Sequence, residues 1–215
     1  LLMSTTTVNS ISFKQVFLSN RVLLLKIAIH LLSFLPLLAL YILAFDDQLG
    51  ADPVKEVIHF TGIGAFNLLL ISLLLTPLAR KYRQGYLLQT RRLLGLYSFT
   101  YALMHLLSFL AFEVQFDFTL FLDEIIERPY ITVGMMALLI LCSLAVTSIT
   151  ALKRKMGKSW QRLHNWVYGA SLLIALHFLW SVKSDIIEPG IYIVVTVFLL
   201  SLRRDKFKRW FKSKY

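Results

Sequence analysis

Apolar residues along the chain gather into six runs separated by short polar segments: 22–44, 60–79, 93–112, 130–152, 160–182 and a shorter 191–202. A bilayer core takes about 20 helical residues, so five runs fit directly and the sixth must borrow its flanks. The first run has Lys14, Arg21 and Lys26 around its start and no small-residue cleavage site after it. It therefore reads as an uncleaved span, since a secretory signal would be shorter. The predicted fold class is all-α, a polytopic membrane helix bundle of six transmembrane helices.

The charges supply an independent check on those spans, because wrongly chosen spans would scatter them. The N-terminal region through Lys26, the segments 80–92 and 153–162, and the segment 203–215 hold 20 of the 23 basic residues and only Asp205 among the acids. The three other connections hold Lys55, Arg128 and Lys183 together with eleven acids. By the positive-inside rule both termini are expected in the cytoplasm, with the acidic loops outside. The expected organisation is a cytoplasmic N-terminal segment over 1–20, a transmembrane domain over 21–204 and a basic cytoplasmic tail over 205–215. No soluble domain is expected, so any redox partner must be another chain, a lipid-soluble molecule or a bound cofactor.

Composition agrees with life in lipid: 57% apolar, 16% charged and a mean hydropathy of +0.67 leave too little polar surface to wrap a water-soluble core. The net charge of +11 does not indicate nucleic acid, because the basic residues sit in short runs between apolar stretches. Cys142 is the single cysteine and lies inside an apolar run, so this chain alone builds neither a disulfide nor a thiolate cluster.

All five histidines, His30, His59, His105, His164 and His177, fall within or at the edge of spans. Ionisable groups there are costly and tend to mark function, although one alone is as readily an interhelical hydrogen bond. By helical rise His105 lies roughly 18 Å and His177 roughly 25 Å from the cytoplasmic starts of the third and fifth spans. Both are in the outer half, where two helices can offer axial imidazoles to one iron. Ser98, Ala102 and Ser108 share the face of His105, and Gly169, Ala170 and Ser181 that of His177, leaving room for a flat ligand or simply for helix packing. His164, near the inner end of the fifth span, is a candidate for a second haem. His164 and His177 are thirteen residues apart, about 140° from a common face on an ideal helix. The fifth span is therefore locally unwound or π-bulged, or the two imidazoles address different neighbours. Without a Cys-x-x-Cys-His motif, any haem is held non-covalently.

The segments GADPVKEVIHFTG (50–62), LTPLAR (75–80), RRLLGLYSF (91–99), ERPYITVG (127–134), GKSWQRLHNWVY (157–168) and HFLWSVK (177–183) resemble the ferric-reductase-like transmembrane family. Within it they are most like the membrane subunits of bacterial periplasmic methionine-sulfoxide reductase systems. The resemblance implies one or two b-type haems in a multi-pass protein of the bacterial inner membrane. It also implies electron flow from respiratory quinone to a periplasmic molybdopterin-containing reductase subunit, with membrane lipid as surroundings and no nucleic acid as partner. Matched residue by residue, His105, His164 and His177 fall where the family's haem histidines fall. His59 and His30 lie in matching blocks and are secondary candidates for a haem or quinone site. Flavin mononucleotide has been associated with the family, and no motif here locates it.

Unlike in the larger family members, no C-terminal flavin and nicotinamide domain is expected, and Arg92 stands where they have a second third-span histidine. An inner haem would need another partner for His164, and His30 is the nearest in depth. Arg91 and Arg92 are candidates for contacts to haem propionates near the cytoplasmic interface, or for positive-inside anchors. Two other classes of function compete: a proton or ion transporter with a histidine relay, and a haem-free subunit that anchors a periplasmic enzyme. A reducible low-spin b-type spectrum in the purified protein separates the first reading from both.

Overall fold

A computed structural model describes residues 13–182 and 186–204. The expected tail 205–215, residues 1–12 of the expected N-terminal segment, and Lys183 and Asp185 lie outside the described residues. Every described element is helical: α1 (Phe13–Phe45), α2 (Pro53–Lys81), a 3-10 turn (Gly85–Thr90), α3 (Arg91–Ser108), a π-helical turn (Phe109–Glu113), α4 (Phe118–Glu127), α5 (Pro129–Val146), α6 (Thr150–Met156), α7 (Lys158–His164), α8 (Val167–Ser181) and α9 (Ile187–Ser201). Four stretches, Asn20–Phe45, Pro53–Lys81, Gly85–Glu113 and Pro129–Val146, are long and apolar enough to cross a membrane.

Helix starts follow local chemistry. Asp52 caps α2 by accepting the Lys55 amide at 3.1 Å, and Pro53, which has no amide to satisfy, takes the first turn. Pro129 does the same for α5. The fourth expected span, 130–152, stops at Val146, where the Thr147 hydroxyl binds back to the Ser143 carbonyl at 2.6 Å. A turn and the short α6 follow it, and Gly157, with φ +52°, separates α6 from α7.

The fifth expected span is interrupted. Helical geometry breaks at Asn165 and Trp166 between α7 and α8, so the chain is locally unwound between its two histidines, and the two rings also meet different neighbours. The π-helical turn lies instead at the end of the third span, directly after the helix that carries His105. The last expected span is the 15-residue α9.

The bundle is organised around α2, which packs along α3, while α5 packs along α8. Phe66, Leu70 and Leu73 of α2 meet Tyr168 and Phe178 of α8 and Leu199 of α9 in the main core cluster. Large apolar side chains elsewhere face outward, as Leu32 at 75% exposure does on α1, as expected where the solvent is hydrocarbon. Polar groups inside the bundle are paired across helices: Tyr101 donates to the Ser33 carbonyl at 2.7 Å, and Ser98 to the Ala65 carbonyl at 2.8 Å.

Candidate cofactor site

A cavity of about 590 Å³ occupies the centre of α2, α3, α5 and α8, within the range of about 300–1,000 Å³ typical of cofactor pockets. Each helix gives it one face, with lining positions three or four residues apart, as at Ile58, Gly62 and Ala65 of α2 and Gly134, Leu138 and Leu141 of α5. On α5 the lining runs from the Pro129 end inward for about 18 Å by helical rise.

His105 of α3 and His177 of α8 both line this cavity. Their ring centroids are 6.2 Å apart and their planes are nearly perpendicular, at 85°. Each ring is held from behind by a backbone carbonyl. His105 Nδ1 donates to the Ile58 carbonyl at 2.9 Å, and His177 Nδ1 donates to the Tyr130 carbonyl at 2.7 Å. A carbonyl oxygen only accepts, so Nδ1 must carry the proton when the ring is neutral, and Nε2 then keeps its lone pair. No hydrogen bond to either Nε2 occurs among the described residues.

The same device is built twice. Four residues after each accepting carbonyl the neighbouring helix has a glycine, Gly62 after Ile58 and Gly134 after Tyr130. A Cβ at Gly62 would lie 3.1 Å from His105 Nδ1, and one at Gly134 would lie 2.8 Å from His177 Nδ1. Only a bare backbone lets the imidazole reach a carbonyl already engaged in its own helix. These glycines and carbonyls escaped the sequence reading. The available signal was a helix-weakening Gly inside an apolar run, at a depth comparable to a histidine on another span.

With ring centres 6.2 Å apart, the two imidazoles could hold one metal ion between them. An imidazole–metal bond of about 2 Å on each side, plus roughly an ångström from nitrogen to ring centre, separates two axial rings by about 6 Å. Carbonyl-oriented Nδ1–H groups are the usual support for a ligating Nε2. The described residues contain no cluster of three or more His, Cys, Asp or Glu that could hold a metal by themselves. Two protein ligands suit a metal whose remaining positions are filled by a macrocycle, and the apolar walls suit the faces of such a ring.

The other predicted residues are placed differently. Ala102 and Ser181 line the cavity, but Ser98 and Ser108 are buried in helix contacts, the latter 2.7 Å from the Tyr41 hydroxyl. His59 lines the cavity, with Nε2 3.7 Å from a Glu188 carboxylate oxygen and its ring 6.2 Å from Phe178. His164 pairs through Nε2 with the Thr147 hydroxyl at 3.1 Å and stacks on Trp160 at 3.9 Å. His30 is exposed on α1, with Nδ1 2.7 Å from the Tyr97 hydroxyl, so it and His164 each have another partner. Arg91 donates through Nε to the Ser72 carbonyl at 3.2 Å, Arg92 is exposed, and neither lines the cavity.

A bundle of apolar helices with two oriented imidazoles converging in its interior defines an integral membrane protein of the cofactor-binding class. The model of the ferric reductase like transmembrane component family matches residues 61–175, a stretch that contains His105 and ends two residues before His177. The chain is also similar to proteins called protein-methionine-sulfoxide reductase heme-binding subunit MsrQ. It is 46% identical to that of Pectobacterium atrosepticum over 189 residues, covering 87% of this chain and 95% of the relative. It is 43% identical to that of Cronobacter sakazakii over 190 residues, 88% and 95% of the two chains, and 42% identical to that of Klebsiella pneumoniae over 198 residues, 92% and 98%. The chain belongs to the ferric reductase like transmembrane component family.

Proposed function

We propose that this chain is the haem-binding membrane subunit of a methionine-sulfoxide reductase system in the bacterial inner membrane. It passes electrons from the respiratory quinone pool to the periplasmic molybdopterin-containing subunit, MsrP, and so supports repair of oxidised periplasmic proteins. It is an electron-transfer subunit and does not itself reduce the sulfoxide. The carrying observation is the His105–His177 pair, with its fixed tautomers and a separation that suits one shared metal. The family match and the length of the similarity to the MsrQ proteins support the same reading.

In this reading His105 and His177 would hold the haem iron, in the outer half of the bilayer. When bound, b-type haem supplies reversible one-electron transfer. The protein's part is to hold both rings rigid, to raise the basicity of each Nε2 through the carbonyl behind it, and to keep water from the apolar faces of the cavity. His59, half-exposed beside Glu188, is the candidate for a quinone or haem-edge contact. His164 is the candidate ligand of a second, inner haem, and binding there requires release of its Thr147 contact. His30, Arg91 and Arg92 remain secondary candidates around that inner site. Flavin mononucleotide is a further cofactor expected from the resemblance, with no residue assigned. The charge asymmetry supports six spans with both termini cytoplasmic, α7 with α8 forming the fifth and α9 the sixth.

The test is spectroscopic. The protein purified from haem-replete cells is expected to show a reducible low-spin b-type spectrum, and His105→Ala and His177→Ala are each expected to abolish the outer component. A colourless wild-type protein, or full haem retention in both variants, would overturn the assignment.

A further inference from the structure

A second cavity, of about 890 Å³, opens where the inner end of α1 meets the connection between α2 and α3. Arg21 and Lys26 from α1 and Arg83 from the connection line it, together with the polar Gln84, Tyr86 and Gln89, and none of its lining residues is acidic. Val22 and Leu23 line its apolar side. From there Leu24, Ile27 and Leu31, all exposed, run along α1 at three- and four-residue spacing. A polar, cationic recess at the expected inner interface that continues into an apolar track along a helix has the shape of a phospholipid, head and tails.

The backbone adds a separate observation. The end of α2 closes in a Schellman motif, with the Gln84 amide bonded to the Ala79 carbonyl at 3.0 Å and the Arg83 amide to the Arg80 carbonyl at 3.4 Å. Arg83 takes the left-handed position of that motif, φ +55°, where glycine is favoured and any side chain costs about 1 kcal/mol. The end of α1 closes in the same motif with Asp47 at φ +55°, so the conformation belongs to the turn, and at the end of α2 it sets Arg83 beside this groove. Orientation by the positive-inside rule needs basic residues anywhere on the inner side. It does not require their convergence from two segments on one groove.

We propose that the groove between α1 and the α2–α3 connection is a binding site for an anionic phospholipid, with Lys26 and Arg83 at its phosphate and the acyl chains along α1. The lipid fastens the inner end of α1 to the connection that leads into α3.

The test uses the full chain in nanodiscs of phosphatidylcholine with and without phosphatidylglycerol, together with native mass spectrometry of retained lipid. Wild type is expected to retain phosphatidylglycerol selectively and to melt higher in discs that contain it. Lys26→Gln and Arg83→Gln are each expected to weaken that retention by about five-fold, whereas Arg154→Gln on α6 leaves it unchanged. Arg83→Gly is the sharper variant: it relieves the left-handed strain, so in pure phosphatidylcholine it melts at or above wild type while losing the phosphatidylglycerol response. Equal retention of both lipids by wild type would overturn the proposal. So would losses in the groove variants no larger than in Arg154→Gln. Displacement of the lipid by millimolar inorganic phosphate or flavin mononucleotide would reassign the groove to a soluble phosphate and defeat the lipid reading.

Discussion

Gly134 and His177 are fitted to each other so closely that a Cβ on the glycine would lie 2.8 Å from the imidazole Nδ1. The same nitrogen donates to the Tyr130 carbonyl one turn earlier, so an added methyl group meets the ring at the point that fixes its direction. Gly134→Ala is therefore expected to act on the ligand without removing it. The ring must shift or the helices must part, at a cost of about 1–3 kcal/mol for overpacking. The measurable outcome is a lower haem-to-protein ratio and altered low-spin EPR g-values. Gly62→Ala should act in the same direction more weakly, because its Cβ would sit 3.1 Å from His105 Nδ1. Equal and unperturbed spectra for both variants would show that the glycines only ease helix packing.

The histidines of α7 and α8 should respond separately. His164 contacts Thr147 and Trp160, whereas His177 faces His105, and the break at Asn165 and Trp166 lies between them. His164→Ala is expected to leave the low-spin signal of the outer site intact while removing any second haem, as read by pyridine haemochrome content per chain. Thr147→Val, which takes away the hydroxyl partner and keeps the volume, should leave the outer signal unchanged too. Loss of the outer signal in His164→Ala would mean that the two sites fold as one.

Much of this was legible in the sequence because the relevant physics is one-dimensional. The length of an apolar run, the side on which Lys and Arg collect, and the depth of a histidine along a helix all follow from counting residues, and they lead to His105 and His177. What orients those rings is not one-dimensional. The Ile58 and Tyr130 carbonyls belong to any residue type, and the glycines that expose them lie 43 positions before their histidines in each case, Gly62 to His105 and Gly134 to His177. Ser98 and Ser108 share the helical face of His105, but a helical face is broad enough to meet a cavity and two neighbouring helices. Only packing distinguishes them from Ala102. The end of the fourth span at Val146 was hidden for a similar reason, since Thr147 to Leu152 are as compatible with hydrocarbon as with a turn.

Arg203 presents a stability test independent of the cofactor. It is 9% exposed at the end of α9, with its guanidinium donating to the Tyr168 hydroxyl at 2.6 Å and to the Leu73 carbonyl at 2.5 Å. It thereby joins α9 to α8 and α2. Removing it leaves both acceptors buried without this donor, so Arg203→Ala is expected to cost about 2–4 kcal/mol. Tyr168→Phe should cost less, about 1–2 kcal/mol, since the guanidinium keeps its carbonyl. Thermal unfolding in detergent measures both, and an unchanged midpoint for Arg203→Ala would show that water satisfies these groups.

The acids of α4, on the side expected to face outward, bear on how the electron leaves. Asp117 is committed to capping α4 through the Thr119 and Leu120 amides at 2.8 and 3.1 Å, and Glu124 is paired with Arg128 at 2.9 Å. Asp123 and Glu127 remain, exposed and four residues apart on one side of the helix, so they are the acids whose reversal should disturb the fold least. If an acceptor docks by charge complementarity, Asp123→Lys with Glu127→Lys should slow its reduction several-fold at low ionic strength. The difference should shrink toward wild type near 1 M salt, where the screening length falls to about 3 Å. The haem spectrum and potential should not change, because neither side chain lines the cavity. Stopped-flow reduction of the purified periplasmic subunit by the pre-reduced membrane protein, across a salt series, reads this directly. A deficit independent of salt would instead indicate damage to α4, and no deficit at any salt would move the docking surface away from this helix.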